Sequence, residues 1–138
     1  MHGDLVAESC GDSYPEIRLR FKEKLPESPI VTFKAEVDPG FNGHVLLPRE
    51  FRERLGDEYN DDHVMLADGQ YVPTCCFDLC VGIGEEPLSS DLVPVHCFSQ
   101  LNRLQKPLVG TGLLASYEIC FKPANKILRI FKIAEPVK

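Results

Sequence analysis

No stretch of this sequence approaches the roughly 18 to 20 uncharged apolar residues that a membrane-crossing helix requires, so a helical membrane protein is excluded. Asp4, Glu8, Asp12 and Glu16 stand where a secretory leader would be apolar. The expected location is therefore cytoplasmic, without a membrane partner. Basic residues are in the minority: 15 Lys and Arg face 21 Asp and Glu, for a net charge of −6. Such a chain repels phosphate backbones unless its cations gather on one face. Arg18, Arg20 and Lys22 instead alternate with Ile17, Leu19 and Phe21, the pattern of a strand with one wet face, so no nucleic-acid partner is expected. There is no GxSxG elbow, no paired CxxC knuckle and no spacing that suggests a disulfide framework. In a reducing compartment Cys10, Cys75, Cys76, Cys80, Cys97 and Cys120 read mostly as small buried hydrophobes. Internal repeats and low-complexity tracts are absent.

What is present is an ordinary globular balance, 43% hydrophobic and 26% charged over 138 residues, enough for one core in one domain. Residues 1–13 show little periodicity and are expected to form a flexible N-terminal tail, with a single domain over 14–138. From Tyr14 the pattern has period two: Ile17, Leu19 and Phe21 share one face, as do Val31, Phe33, Ala35 and Val37. The second of these strands ends at Asp38-Pro39-Gly40, where proline and glycine interrupt regular pairing and present an acid at a strand terminus.

Further on, an extended run over 44–47 is followed by Pro48 and Gly56, which bracket a short helix with Phe51 and Leu55 on its buried side. Asp68-Gly69 predicts a two-residue hairpin turn. The return strand carries Tyr71, Cys75, Phe77, Leu79, Val81 and Ile83 on one face and Val72, Thr74, Cys76, Asp78 and Cys80 on the other. Strands are expected over 92–98, 108–110, 117–121 and 127–133, the last two as a hairpin around Pro123-Ala124-Asn125. Seven to nine short strands with one or two short helices predict a mostly β domain of barrel or sandwich type.

Three blocks together resemble the retropepsin-like family of aspartic peptidases, its small bacterial and archaeal members in particular. Residues 35–48, from Ala35 through Asp38-Pro39-Gly40-Phe41-Asn42-Gly43 to Leu47-Pro48, are similar to the family's apolar-x-Asp-Thr-Gly-Phe-x-Gly-x-apolar-x-Leu-Pro signature. Leu66-Ala67-Asp68-Gly69 is similar to its flap hairpin, and Leu108-Val109-Gly110 to the apolar-apolar-Gly motif beside its catalytic loop. The resemblance implies a closed β-barrel of the acid-protease type. It implies catalysis by Asp38, backbone roles for Pro39 and Gly40, a substrate-covering flap at Ala67, Asp68 and Gly69, and packing of Leu108, Val109 and Gly110 beside the loop. It further implies a peptide or protein substrate, no cofactor and no metal.

Peptide hydrolysis without a covalent intermediate needs one group that takes a proton from water and one that gives a proton to the carbonyl oxygen. Two adjacent carboxylates sharing one proton can do both. With one Asp-x-Gly loop in the chain, the second carboxylate comes from another copy, so the resemblance implies a homodimer. The sequence departs from the family at Pro39, where Thr or Ser is usual. Proline lacks the hydroxyl and the N–H that brace the paired loops, an omission worth about 1 to 3 kcal/mol if a partner group is left buried and unpaired. The alternative function is a protease-shaped binding or dimerisation module without activity. A third reading, a metal or redox site from Cys75, Cys76, Cys80, His96 and Cys97, meets poor geometry, because alternation sends Cys75 and Cys76 to opposite faces.

Overall fold

A computed structural model describes residues 3–10, 16–22, 30–55, 58–66, 68–84, 86–100 and 106–133, with the backbone alone for Cys10 and 16–22. The strands are β1 (Leu5–Cys10), β2 (Glu16–Lys22), β3 (Val31–Val37), β4 (Val45–Leu47), β5 (Asn60–Met65), β6 (Tyr71–Ile83), β7 (Val93–Phe98), β8 (Leu108–Val109), β9 (Tyr117–Lys122) and β10 (Ile127–Lys132). A 3-10 helix, Arg49–Arg54, follows β4, and a single helical turn, α1 (Thr111–Leu114), follows β8. The mostly β architecture expected from period-two patterning is thus what forms. The short helix after Pro48 is 3-10 rather than α; Leu55 at its end is buried and Phe51 packs against the core. Gly56 lies outside the described residues.

Seven strands make one sheet in the order β2-β3-β8-β4-β7-β6-β5. The 13 residues of β6 serve several neighbours. Its first part pairs with β5 on one side and β7 on the other, and its last residues, 80–83, pair with β2. The sheet therefore curls, but the expected closed barrel is corrected: no sheet closes into one. Sharing with β5 and β7 leaves only the end of β6 to meet β2, and β5 keeps an unpaired edge among the described residues. Asp61, Asp62 and His63, exposed on β5, guard that edge against further pairing.

The second sheet, β1-β10-β9, is antiparallel throughout. Within the stretch expected as a flexible tail, Leu5–Cys10 form a strand registered on β10, with a bulge between Leu5 and Ala7, while residues 1–2 and 11–13 lie outside the described residues. The reason is apolar burial: Val6 and Ala7 pack on a core that includes Leu128 and Ile130 of β10. This main core also takes Val45, Leu47, Cys75, Phe77, Leu79, Ile83, Val95, Cys97 and Val109. A smaller apolar cluster, Phe41, Leu46, Val64 and Phe98, is built from residues of opposite parity on β4, β5 and β7, hence on the other face of the large sheet. The C-terminal hairpin turns at 123–126, where Lys126 adopts φ 53° and its N–H reaches the carbonyl of Pro123.

Candidate functional site

The two residues of β8 run between β3 and β4, parallel to the first and antiparallel to the second. The loop joining β3 to β4 must therefore pass over the end of β8. Glu36 and Val37 pair with Leu108 and Val109, and the next residue, Asp38, donates its backbone N–H to the Val109 carbonyl at 2.9 Å. The chain then turns at once. Phe41 N–H donates to the Asp38 carbonyl (3.1 Å), and Gly40 N–H donates to Asp38 Oδ1 (2.9 Å). Pro39, exposed, suits this turn through its fixed φ. The Asp38 side chain is half-buried at the strand end, with one carboxylate oxygen already accepting from its own loop. A Cβ on Gly40 would stand 3.3 Å from that oxygen, tight but not prohibitive.

Residues past β8 lock the rest of the loop. Gly110 N–H donates to the His44 carbonyl (3.0 Å), Thr111 N–H to the Phe41 carbonyl (2.9 Å) and Gly112 N–H to the Gly43 carbonyl (3.0 Å). Gly110 and Gly112 are needed there for close approach: a Cβ on Gly110 would overlap the carbonyl oxygens of both Gly43 and Phe41, and one on Gly112 would crowd those of Asn42 and Gly43. Sequence blocks some 70 positions apart thus meet in one hydrogen-bonded unit, with Asp38, Pro39 and Gly40 on one side and Leu108, Val109 and Gly110 on the other.

The β5–β6 hairpin carries the flap candidates. It is closed by Leu66 N–H donating to the Gln70 carbonyl (2.8 Å), and Gly69, at φ 87°, donates its N–H to the Leu66 carbonyl (2.9 Å). Asp68 Oδ1 accepts from Gln70 N–H (3.0 Å). The loop between Leu66 and Gln70 is longer than the two-residue turn that Asp-Gly predicted, and among its described residues only Gly69 adopts the left-handed conformation. Ala67 lies outside the described residues. Leu66 and Val72 at the hairpin base pack on the cluster that contains Phe41 of the Asp38 loop, as does Leu108, so hairpin and loop share one apolar footing.

Sequence reasoning missed a polar group on the same sheet face. Asp62 of β5, Cys76 of β6 and His96 of β7 bring one potential ligand atom each within 4.8 Å of one another. His96 Nε2 meets Asp62 Oδ2 at 3.1 Å. Of the five residues considered for a metal, only Cys76 and His96 come together here. Cys75 and Cys97 face each other in the main core, on the opposite side of β6 and β7. Alternation correctly separated Cys75 from Cys76, but Asp62 could be found only from the pairing of β5 with β6.

Burial first, then Asp78 and Asp62, pushes the Cys76 thiol up to about 11, and burial first pushes Cys97 up to about 12. Both remain protonated at neutral pH, which disfavours either as a nucleophile. Asp62 is held below the usual carboxylate range, first by the backbone N–H of His63 and then by His96. His44 is lowered by burial and then by the charge of His96. No helix among the described residues is long and apolar enough to cross a membrane.

Neither a comparison with models of protein families nor one with curated proteins finds a match. Among solved structures, the chain is similar to a retropepsin-like aspartic protease from Rickettsia conorii, with TM-score 0.54 and 18% identity over 88% of this chain and 97% of that one. The likeness extends to the fold: the chain has a retropepsin-like fold.

Proposed function

We propose that this chain is one subunit of a homodimeric aspartic endopeptidase in which Asp38 of each copy supplies half of the catalytic pair. The observation that carries this reading is the bracing of Asp38 at the end of β3 by Val109 and Gly40, in a chain whose fold is similar to that of a retropepsin-like aspartic protease. A carboxylate so braced loses little conformational freedom when a symmetry mate approaches. Two such groups held together share one proton. The ionised member takes a proton from water as the oxygen attacks the peptide carbonyl, and the protonated member gives its proton to the carbonyl oxygen. Collapse of the tetrahedral intermediate then returns a proton to the leaving nitrogen and breaks the C–N bond.

In this reading Gly40 offers its backbone N–H to the carboxylate pair, and Leu108, Val109 and Gly110 position the loop. The hairpin tip at Ala67, Asp68 and Gly69 folds over an extended peptide or protein substrate and excludes water. The mechanism calls for neither metal nor cofactor, and the expected compartment is the cytoplasm.

Purified protein incubated with an unbiased peptide mixture from acidic to neutral pH should cleave it, with preference for extended segments bearing apolar side chains at the scissile bond. Asp38→Asn should abolish cleavage while leaving the fold intact, since an amide oxygen still accepts from Gly40. Equal degradation by wild type and variant over that range would remove the peptidase reading. One observation favours the alternative, a protease-shaped dimerisation or peptide-binding module: Pro39 offers neither a hydroxyl nor an N–H to brace a partner loop. An inactive wild type that still sediments as a dimer would select it.

A further inference from the structure

We propose that Asp62, Cys76 and His96 form a binding site for one zinc ion, with the fourth coordination position open to water. The three side chains come from three adjacent strands. Cys76 is directly opposite His96 across β6 and β7, and Asp62 is opposite Thr74, two residues from Cys76 on the same face. Carboxylate oxygen, imidazole nitrogen and thiolate sulfur are all zinc ligands, and the mixed hard and soft set suits zinc better than magnesium or calcium.

The spacing is close to what the ion needs. A tetrahedral ion with bonds of about 2.0 to 2.3 Å holds its ligand atoms roughly 3.3 to 3.5 Å apart. The His96–Asp62 separation is already 3.1 Å, and Cys76 Sγ lies within 4.8 Å of both partner atoms. Cys76 Sγ therefore has at most about 1.3 Å to close on either partner.

A second observation points the same way. The hydroxyl of Thr74, directly opposite Asp62 and on the face that carries Cys76, is buried without a hydrogen-bond partner. Buried polar atoms are ordinarily satisfied. A water in the open position of the ion offers that hydroxyl a partner. The thiol, protonated in the metal-free protein, ionises on binding because the cation reverses the electrostatics of the site.

Asp62 lies on the hairpin strand, four residues before Leu66, or about 13 Å along an extended chain at ~3.3 Å per residue. The ion would therefore tie the root of the β5–β6 hairpin to β7. That role is independent of Asp38 and of whether the chain cleaves peptides.

The test is a titration of the full chain, stripped with a chelator and kept reduced by a phosphine, with Zn²⁺ in competition with a chromogenic chelator. A parallel titration uses Co²⁺ as a spectroscopic probe. The expected result is one equivalent of Zn²⁺ bound and a thiolate-to-cobalt charge-transfer absorption. Cys76→Ser should remove that absorption, Cys80→Ser should retain it, and Asp62→Asn should weaken Zn²⁺ binding roughly tenfold or more. Absence of saturable Zn²⁺ binding by the wild type would overturn the site, as would unchanged binding in Asp62→Asn. Because Asp62 is exposed, its replacement keeps the fold, and the outcome stands even if Cys76→Ser is unstable.

Discussion

Gly110 lies so close to Phe41 that only a residue without a Cβ fits beside it. The residue after Gly110 donates its N–H to the Phe41 carbonyl at 2.9 Å, and the space a Cβ on Gly110 would occupy is filled by that same carbonyl and by the Phe41 ring. Gly110→Ala must therefore push the Asp38 loop away from β8. The expected cost is about 1 to 3 kcal/mol, typical of overpacking in a closed interior. It is measured as a lowered urea midpoint at unchanged slope. An unchanged midpoint would mean that the loop is not held against β8 as described.

If two copies meet across Asp38, Pro39 sits where a hydroxyl would brace the partner loop. Pro39→Thr restores that hydroxyl and a backbone N–H. Recovering one satisfied buried hydrogen bond per subunit, about 1 to 1.5 kcal/mol each and twice across the two-fold axis, tightens the dimer roughly 30- to 150-fold, read by sedimentation over a concentration series. No change in dimer affinity would show that the loops are not apposed.

Removing residues 1–10 tests the first strand. Val6 and Ala7 pack on the core, and Lys132 N–H donates to the Asp4 carbonyl at 2.9 Å. The Glu8–Arg129 pair is 2.7 Å apart, but both side chains are partly exposed to solvent and it adds little. Losing the apolar burial alone should cost about 2 kcal/mol or more. A truncated protein as stable as the full chain would instead favour a dispensable tail.

Alkaline pH should weaken the fold through Tyr117. Burial first, then its hydrogen bond to Glu86 Oε1 (2.7 Å) and the charge of that carboxylate, raises this phenol well above its ordinary value. A group whose folded pKa is raised contributes stability that is complete below its unfolded value, about 10, and is lost as pH climbs toward the folded one. Cys97, pushed up to about 12 by burial, begins to act in the same direction from about 8.5. Tyr117→Phe should lose roughly 1 to 3 kcal/mol at neutral pH and show a shallower decline above pH 10. Chemical unfolding across pH 7 to 11 measures both, and an identical decline in the variant would remove Tyr117 as the source.

Much of the fold was legible locally. Ile17 to Phe21 and Val31 to Val37 announced strands by period two, and Asp38-Pro39-Gly40 announced a loop at a strand end. Pro48 marked the start of a short helix, which formed as 3-10. The N-terminal strand was not legible, because Leu5–Cys10 alternates weakly and becomes ordered only by the apolar surface that β10 and its neighbours offer. Closure into a barrel was expected from family resemblance and did not follow, since β6 divides its hydrogen bonds among β5, β7 and β2.

The sequence by itself determined the strands with clear period-two patterning, such as β2 and β3, the turns that must break them, and that an acid ends β3, because these depend on neighbours two to four positions away. Only the tertiary structure decided that Val109 and Gly110 lie beneath Asp38, and that Asp62 joins Cys76 and His96. Both outcomes depend on strand order and register, which arise when apolar faces from distant parts of the chain are buried together and which no short window of residues encodes.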